Sequence, residues 1–139
     1  MINRISHIGI VVKDMDAAVE KWTSVFGFKK YSELEIAVEG IHSVFLSVCG
    51  TADEMTIELM EPLDKSDLSN AVARRLAKAG EGFYHLAVEV GDIQASGQSL
   101  AGRGLTILQL PPTSDQHAPR WLVHPKDANG VMIEGIVRR

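Results

Sequence analysis

Residues 6–27 read SHIGIVVKDMDAAVEKWTSVFG, and residues 84–104 read YHLAVEVGDIQASGQSLAGRG. Setting His7 over His85 brings Asp14 onto Asp92, so both stretches write a histidine, an alternating apolar run, an aspartate and a helix-forming segment in the same order. In RISHIGIVV, strand alternation puts Ile8, Ile10 and Val12 on one face and His7, Gly9 and Val11 on the other. Asp14 is then an N-cap for a helix that ends at Gly27, a C′ glycine. Met15, Ala18, Val19, Trp22, Val25 and Phe26 recur at helical spacing and are expected to form its buried stripe. KKYSELEIAV, HSVFLSVCG and EMTIELM follow as three strand-like runs, giving the order β-α-β-β-β.

The segment EPLDKSDLSNAVARRLAKAGEG predicts a connecting helix over residues 66–80, capped by Ser66 or Asp67 and ended by Gly80. Beyond it the order repeats. FYHLAVEV reads as a strand, Asp92 as a cap, and a helix runs to Gly102. LTILQL is the next strand, followed by the polar loop PPTSDQHAPR. WLVH and VMIEGIV are then joined through Asn129-Gly130, a hairpin signal. A sheet with one face to bury gains by pairing with a second, so the expected fold is α+β. Two βαβββ modules, residues 4–63 and 82–138 of a single domain of residues 1–139, are expected to pair into a curved, open mixed sheet around a cleft, within one chain or by exchange across a dimer.

Composition narrows the function classes. Hydrophobic residues make up 45% of the 139 and charged residues 23%, as in soluble globular proteins. A formal net charge of −4 and the absence of any Lys/Arg run argue against a nucleic-acid partner. MINRISHIGI lacks the features of a signal peptide. No apolar stretch approaches the roughly 18 residues of a membrane span. These readings predict a cytoplasmic protein with no membrane partner. Cys49, the sole cysteine, lies in VFLSVCG and is expected to be a buried, reduced thiol.

The chemistry-bearing residues repeat with the modules. His7 shares its strand face with Gly9, and His85 with Ala87, so a small neighbour leaves space beside each imidazole. The closing strands TIELM and MIEGI each set a glutamate after an isoleucine, at Glu58 and Glu134. A carboxylate flanked by apolar residues in a strand is expensive to bury alone, and a cation removes much of that penalty. Two imidazoles and two carboxylates neutralise a divalent ion, and this mixed N/O donor set suits Co, Ni, Zn or Mn. Four protein ligands leave two positions of an octahedron open, as a Lewis-acid catalyst needs.

HIGIVVKDMDAAV, IELMEPLDKSD, GEGFYHLAVEVGDI and HPKDANGVMIE together resemble the vicinal oxygen chelate (glyoxalase/bleomycin resistance) superfamily, and within it the methylmalonyl-CoA epimerases. The resemblance implies that His7, Glu58, His85 and Glu134 are the metal ligands. It implies epimerisation of a short branched dicarboxylic acyl-CoA through a metal-chelated enolate, with Glu134 as the catalytic base. A homodimer is implied as well. Ser43 stands where some epimerases carry a second acid/base glutamate, and His117 stands near a histidine of the family's variable loop. Arg120 is a candidate for holding a substrate carboxylate or phosphate. Gly135 stands where leucine usually follows the glutamate, and its missing side chain is expected to enlarge a pocket. The alternatives are a glyoxalase I-type lyase acting on a glutathione adduct, with the same four ligands, and a metal-free small-molecule-binding member of the superfamily.

Overall fold

Both capping aspartates act as expected, and they set the two modules in motion. Asp14 and Asp92 are extended, and their carboxylates accept the backbone N–H of Ala17 at 3.1 Å and Ala95 at 2.7 Å. The computed structural model describes residues 1–112 and 118–138. Its elements run β1 (Ile2–Val11), α1 (Met15–Glu20), β2 (Lys29–Ile36), β3 (Ile41–Ser47), β4 (Thr56–Pro62) and α2 (Ala71–Ala79). They continue with β5 (Gly82–Val90), α3 (Ile93–Gly102), β6 (Ile107–Leu110), β7 (Arg120–Val123) and β8 (Met132–Ile136). This is the α+β class with βαβββ written twice, as the sequence predicts. Among the described residues, no helix is long and apolar enough to cross a membrane.

The chain divides into two compact units, Ile8–Phe83 and Met1–His7 with Tyr84–Arg139. The chain passes between the units twice, at His7–Ile8 inside β1 and at Phe83–Tyr84 near the start of β5. In the Ile8–Phe83 unit the strand order is β2-β3-β4-β1. β2, β3 and β4 pair antiparallel, and Val12 donates its N–H to Met60 at 2.9 Å. Val12, Met15, Val44, Leu46 and Leu59 form the core of this unit, with Ala18, Val19 and Trp22 packed on them. In the other unit the order is β1-β5-β8-β7-β6, with β5 parallel to β8 and β8-β7-β6 antiparallel. Val88, Val90, Trp121 and Val123 form its core, covered by Ile93 and Leu100 of α3.

Four local expectations are corrected. The first helix does not stay α-helical to Gly27: Lys21–Val25 is a π turn, and Phe26 donates to Lys21 at 3.2 Å, five residues back. The wider turn rotates the stripe, so Val25 and Phe26 are exposed, with the Phe26 ring edge-on to Trp22. Asn70, not Ser66 or Asp67, caps α2, accepting from Ala73 at 3.0 Å while its amide donates to Glu39. Asp64 and Asp67 instead bind Ser66 and Ser69 in two successive turns, which hold the backbone out of the helix. Cys49 is exposed, because β3 ends at Ser47.

Gly135 does not open a pocket. It lies opposite Trp121 across the β7–β8 ladder, and the fully buried indole occupies the space a side chain there would need. The indole N–H donates to Ser96 at 2.9 Å, which fixes the ring against α3. Gly97 on α3 leaves room for the other edge of the indole. Gly135→Ala is therefore an overpacking substitution on an immobile ring. It should destabilise the protein by about 1–3 kcal/mol in urea unfolding; an unchanged midpoint would show that the ring can move.

Asp127 ties the turn after β7 to the strand β6 region, accepting the backbone N–H of Thr106 at 2.7 Å. This hydrogen bond, chiefly, holds its carboxyl below the ordinary aspartate value. A carboxyl depressed in the folded state stabilises the fold above its unfolded pKa, and that contribution is lost as pH falls through the folded value. Asp127→Asn should therefore be less stable than the parent at neutral pH. The gap between the two melting curves should close as pH drops below about 4.

Candidate metal centre

Three of the four expected ligands stand together within one unit. β1 carries His7, β5 carries His85 and β8 carries Glu134, and all three are buried. Their nearest donor atoms lie within 4.8 Å of one another, the group of three that can hold a metal among the described residues. Nε2 of His7 and Nε2 of His85 are 3.3 Å apart. Oε1 of Glu134 is 3.7 Å from the first and 3.8 Å from the second.

Strand register explains the convergence. Ala87 lies opposite Glu134 on the parallel β5–β8 pair, and His85 is two residues earlier on the same face. Ala87 is fully buried and small, so the His85 ring can lean toward the carboxylate. Ser6 Oγ lies 3.0 Å from His7 Nδ1, which engages the outer nitrogen and turns Nε2 inward. Tyr84 packs edge-on against the His85 ring, with centroids 5.6 Å apart.

The spacing suits a shared ion. Donors bonded at about 2.1 Å to one centre stand about 3.0 Å apart along an octahedral edge and about 3.4 Å along a tetrahedral one. The 3.3 Å between the two imidazole nitrogens lies within that range, and the 3.7 and 3.8 Å to the carboxylate oxygen lie just above it. This donor set fits a first-row divalent ion.

Glu58 belongs to the other compact unit. It is buried in β4 and accepts a hydrogen bond from Ser43 Oγ at 2.7 Å through Oε2. Ser43 is itself fully buried on β3, so its hydroxyl is committed to this carboxylate. Arg120, expected to face substrate, donates from Nη1 to Glu134 Oε2 at 2.9 Å. His117 lies outside the described residues.

Sequence reasoning missed a further buried carboxylate. Glu89 on β5 is buried, and Arg4 Nε lies 3.4 Å from it. Its signal was available, since His85, Ala87 and Glu89 fall on one strand face.

The family model of the glyoxalase/bleomycin resistance protein/dioxygenase superfamily matches residues 6–121. The chain belongs to this superfamily. An ethylmalonyl-CoA/methylmalonyl-CoA epimerase of Cereibacter sphaeroides is 30% identical over 138 residues, covering 96% of this chain and 97% of the relative. The crystal structure of methylmalonyl-CoA epimerase from Mycobacterium tuberculosis is 32% identical with a TM-score of 0.84, covering 99% of this chain and 89% of that one. A methylmalonyl-CoA epimerase in complex with methylmalonyl-CoA and NH4+ is 30% identical with a TM-score of 0.85, covering 99% and 95% of the two chains. The superfamily name thus joins a histidine–glutamate cluster to relatives that are epimerases.

The Ser43–Glu58 contact carries its own expectation. A hydrogen bond to a buried charged group contributes about 1.5–3 kcal/mol. Ser43→Ala should lower unfolding stability by that order, and Ser43→Thr, which keeps the hydroxyl, should recover part of it.

Proposed function

We propose that the protein is a metal-dependent epimerase of a short branched dicarboxylic acyl-CoA, of the methylmalonyl-CoA type. The observation that carries this reading is the buried meeting of His7 Nε2, His85 Nε2 and Glu134 Oε1 in a chain whose relatives are epimerases. A structure of one relative with methylmalonyl-CoA bound supports the substrate class. The relatives favour this reading over a glyoxalase I-type lyase acting on a glutathione adduct. The buried donor cluster counts against a metal-free binding protein.

In this proposal His7, His85 and Glu134 hold a divalent ion, Co, Ni, Zn or Mn by the N/O character of the donors. Glu58 holds in β4 the place that Glu134 holds in β8, and a ligand role for it rests on the family resemblance. A divalent ion so bound supplies a Lewis acid toward the oxygen on which negative charge develops. Glu134 takes the α-proton on Oε1, the oxygen that Arg120 does not engage, and would detach from the ion as it does so. The C–H electron pair moves into the bond toward the thioester carbonyl, whose oxygen becomes the enolate oxygen. A proton delivered by water to the opposite face of that carbon gives the epimer, and Glu134 then passes its own proton to water, which restores the base. Burial of Glu134 keeps bulk water from competing for its proton and strengthens its electrostatic interactions. The protein is taken to act as a cytoplasmic homodimer.

The test is exchange of the α-proton of methylmalonyl-CoA in D2O, followed by NMR with Co2+ and with a chelator. Metal-dependent loss of the signal is expected. Glu134→Gln should slow it by at least about 10²-fold. No acceleration with metal demonstrably bound would remove methylmalonyl-CoA as substrate and leave the metal centre standing.

A further inference from the structure

Each glutamate is held by a donor from the neighbouring antiparallel strand, and the two donors occupy the same register position. In the Ile8–Phe83 unit, Phe45 lies opposite Glu58, and Ser43, two residues earlier on β3, donates to Glu58 Oε2 at 2.7 Å. In the other unit, Leu122 lies opposite Glu134, and Arg120, two residues earlier on β7, donates to Glu134 Oε2 at 2.9 Å. Residues two apart share a strand face, so the repeat delivers a donor to the same carboxylate position twice, with different chemistry.

We propose that Arg120 is a positioning residue that restricts Glu134 to a single metal-binding oxygen, an assignment that rests on the reading of His7, His85 and Glu134 as ligands. The guanidinium engages Oε2, and Oε1 is the oxygen turned toward the two imidazoles. A carboxylate with both oxygens available can bind an ion through one or through two. Holding Oε2 on Arg120 therefore keeps one coordination position for substrate. The pair is well placed to do this: its side chains are 14% and 7% exposed, so solvent screens the contact little.

The arginine is not there to strengthen metal binding. Its positive charge opposes a dication nearby. Removing it should release Oε2 for chelation and also remove that repulsion, and both effects tighten binding. Turnover should fall at the same time, because the substrate's position is filled. Tighter metal binding with slower chemistry is a combination that a merely structural arginine would not produce.

The test measures Co2+ affinity by calorimetry and the Co2+ d–d absorption of the parent and of Arg120→Ala. Loss of the guanidinium should tighten Kd by about tenfold, opposite in sign to the loss of affinity that follows removal of a group that merely orients a ligand. The d–d band should weaken, as Co2+ intensity does when the coordination number rises. Methylguanidinium added to Arg120→Ala should restore the parental band. Arg120→Met, which fills more of the volume, takes the place of the alanine variant if the latter does not fold. Tighter binding with an unchanged band would show that Arg120 acts through charge alone and would overturn the proposal. So would a lowered melting temperature with parental Kd and band. A parent protein that binds no Co2+ would instead bring down the metal reading, and this assignment with it.

Discussion

Glu134 is an acid placed in the middle of a core strand, and much of its unit is arranged around that fact. An ionised carboxylate removed from water needs opposite charge or several hydrogen bonds. Here one oxygen meets an arginine and the other faces two imidazoles. These partners come from β5 and β7, which flank β8, and from β1, one strand beyond β5. The small residue opposite the glutamate, Ala87, leaves the volume into which the imidazoles lean. Strand order, register and side-chain size thus serve a single electrostatic requirement.

Repetition made that requirement legible. One strand histidine carries little information, whereas His7 and His85 in matching places of a repeat, with Glu58 and Glu134 closing their modules, mark candidate donors in the sequence alone. The caps were equally readable, because Asp14 and Asp92 act within their own turn and need nothing distant. Both belong to features fixed by a few consecutive residues or by an exact internal copy.

What escaped the sequence depends on cross-strand partners or on subtle backbone geometry. The contact of Arg120 with Glu134 was not legible, since loop chemistry alone does not say that register will set the two side by side. A stripe computed at ideal helical spacing cannot foresee a π turn, so Val25 and Phe26 were placed inside although they are exposed. Cys49 followed a long apolar run, but the run's last residues lie beyond the end of β3. Asn70 was overlooked as a cap because two earlier polar residues offered the same local signal. They were already engaged in turns of their own.

The indole of Trp121, seated over Gly135 and beside Gly97, also limits how this sequence can change. A side chain gained at position 135 collides with the ring, and a ring lost at position 121 leaves a void beneath α3. Either single step is penalised, although a bulky residue at 135 with a small one at 121 would conserve volume. The two positions therefore form one heritable unit, one residue from Arg120 and one from Glu134. Drift in the core at this point cannot proceed without passing next to the centre itself, so packing here shelters the chemistry from gradual change.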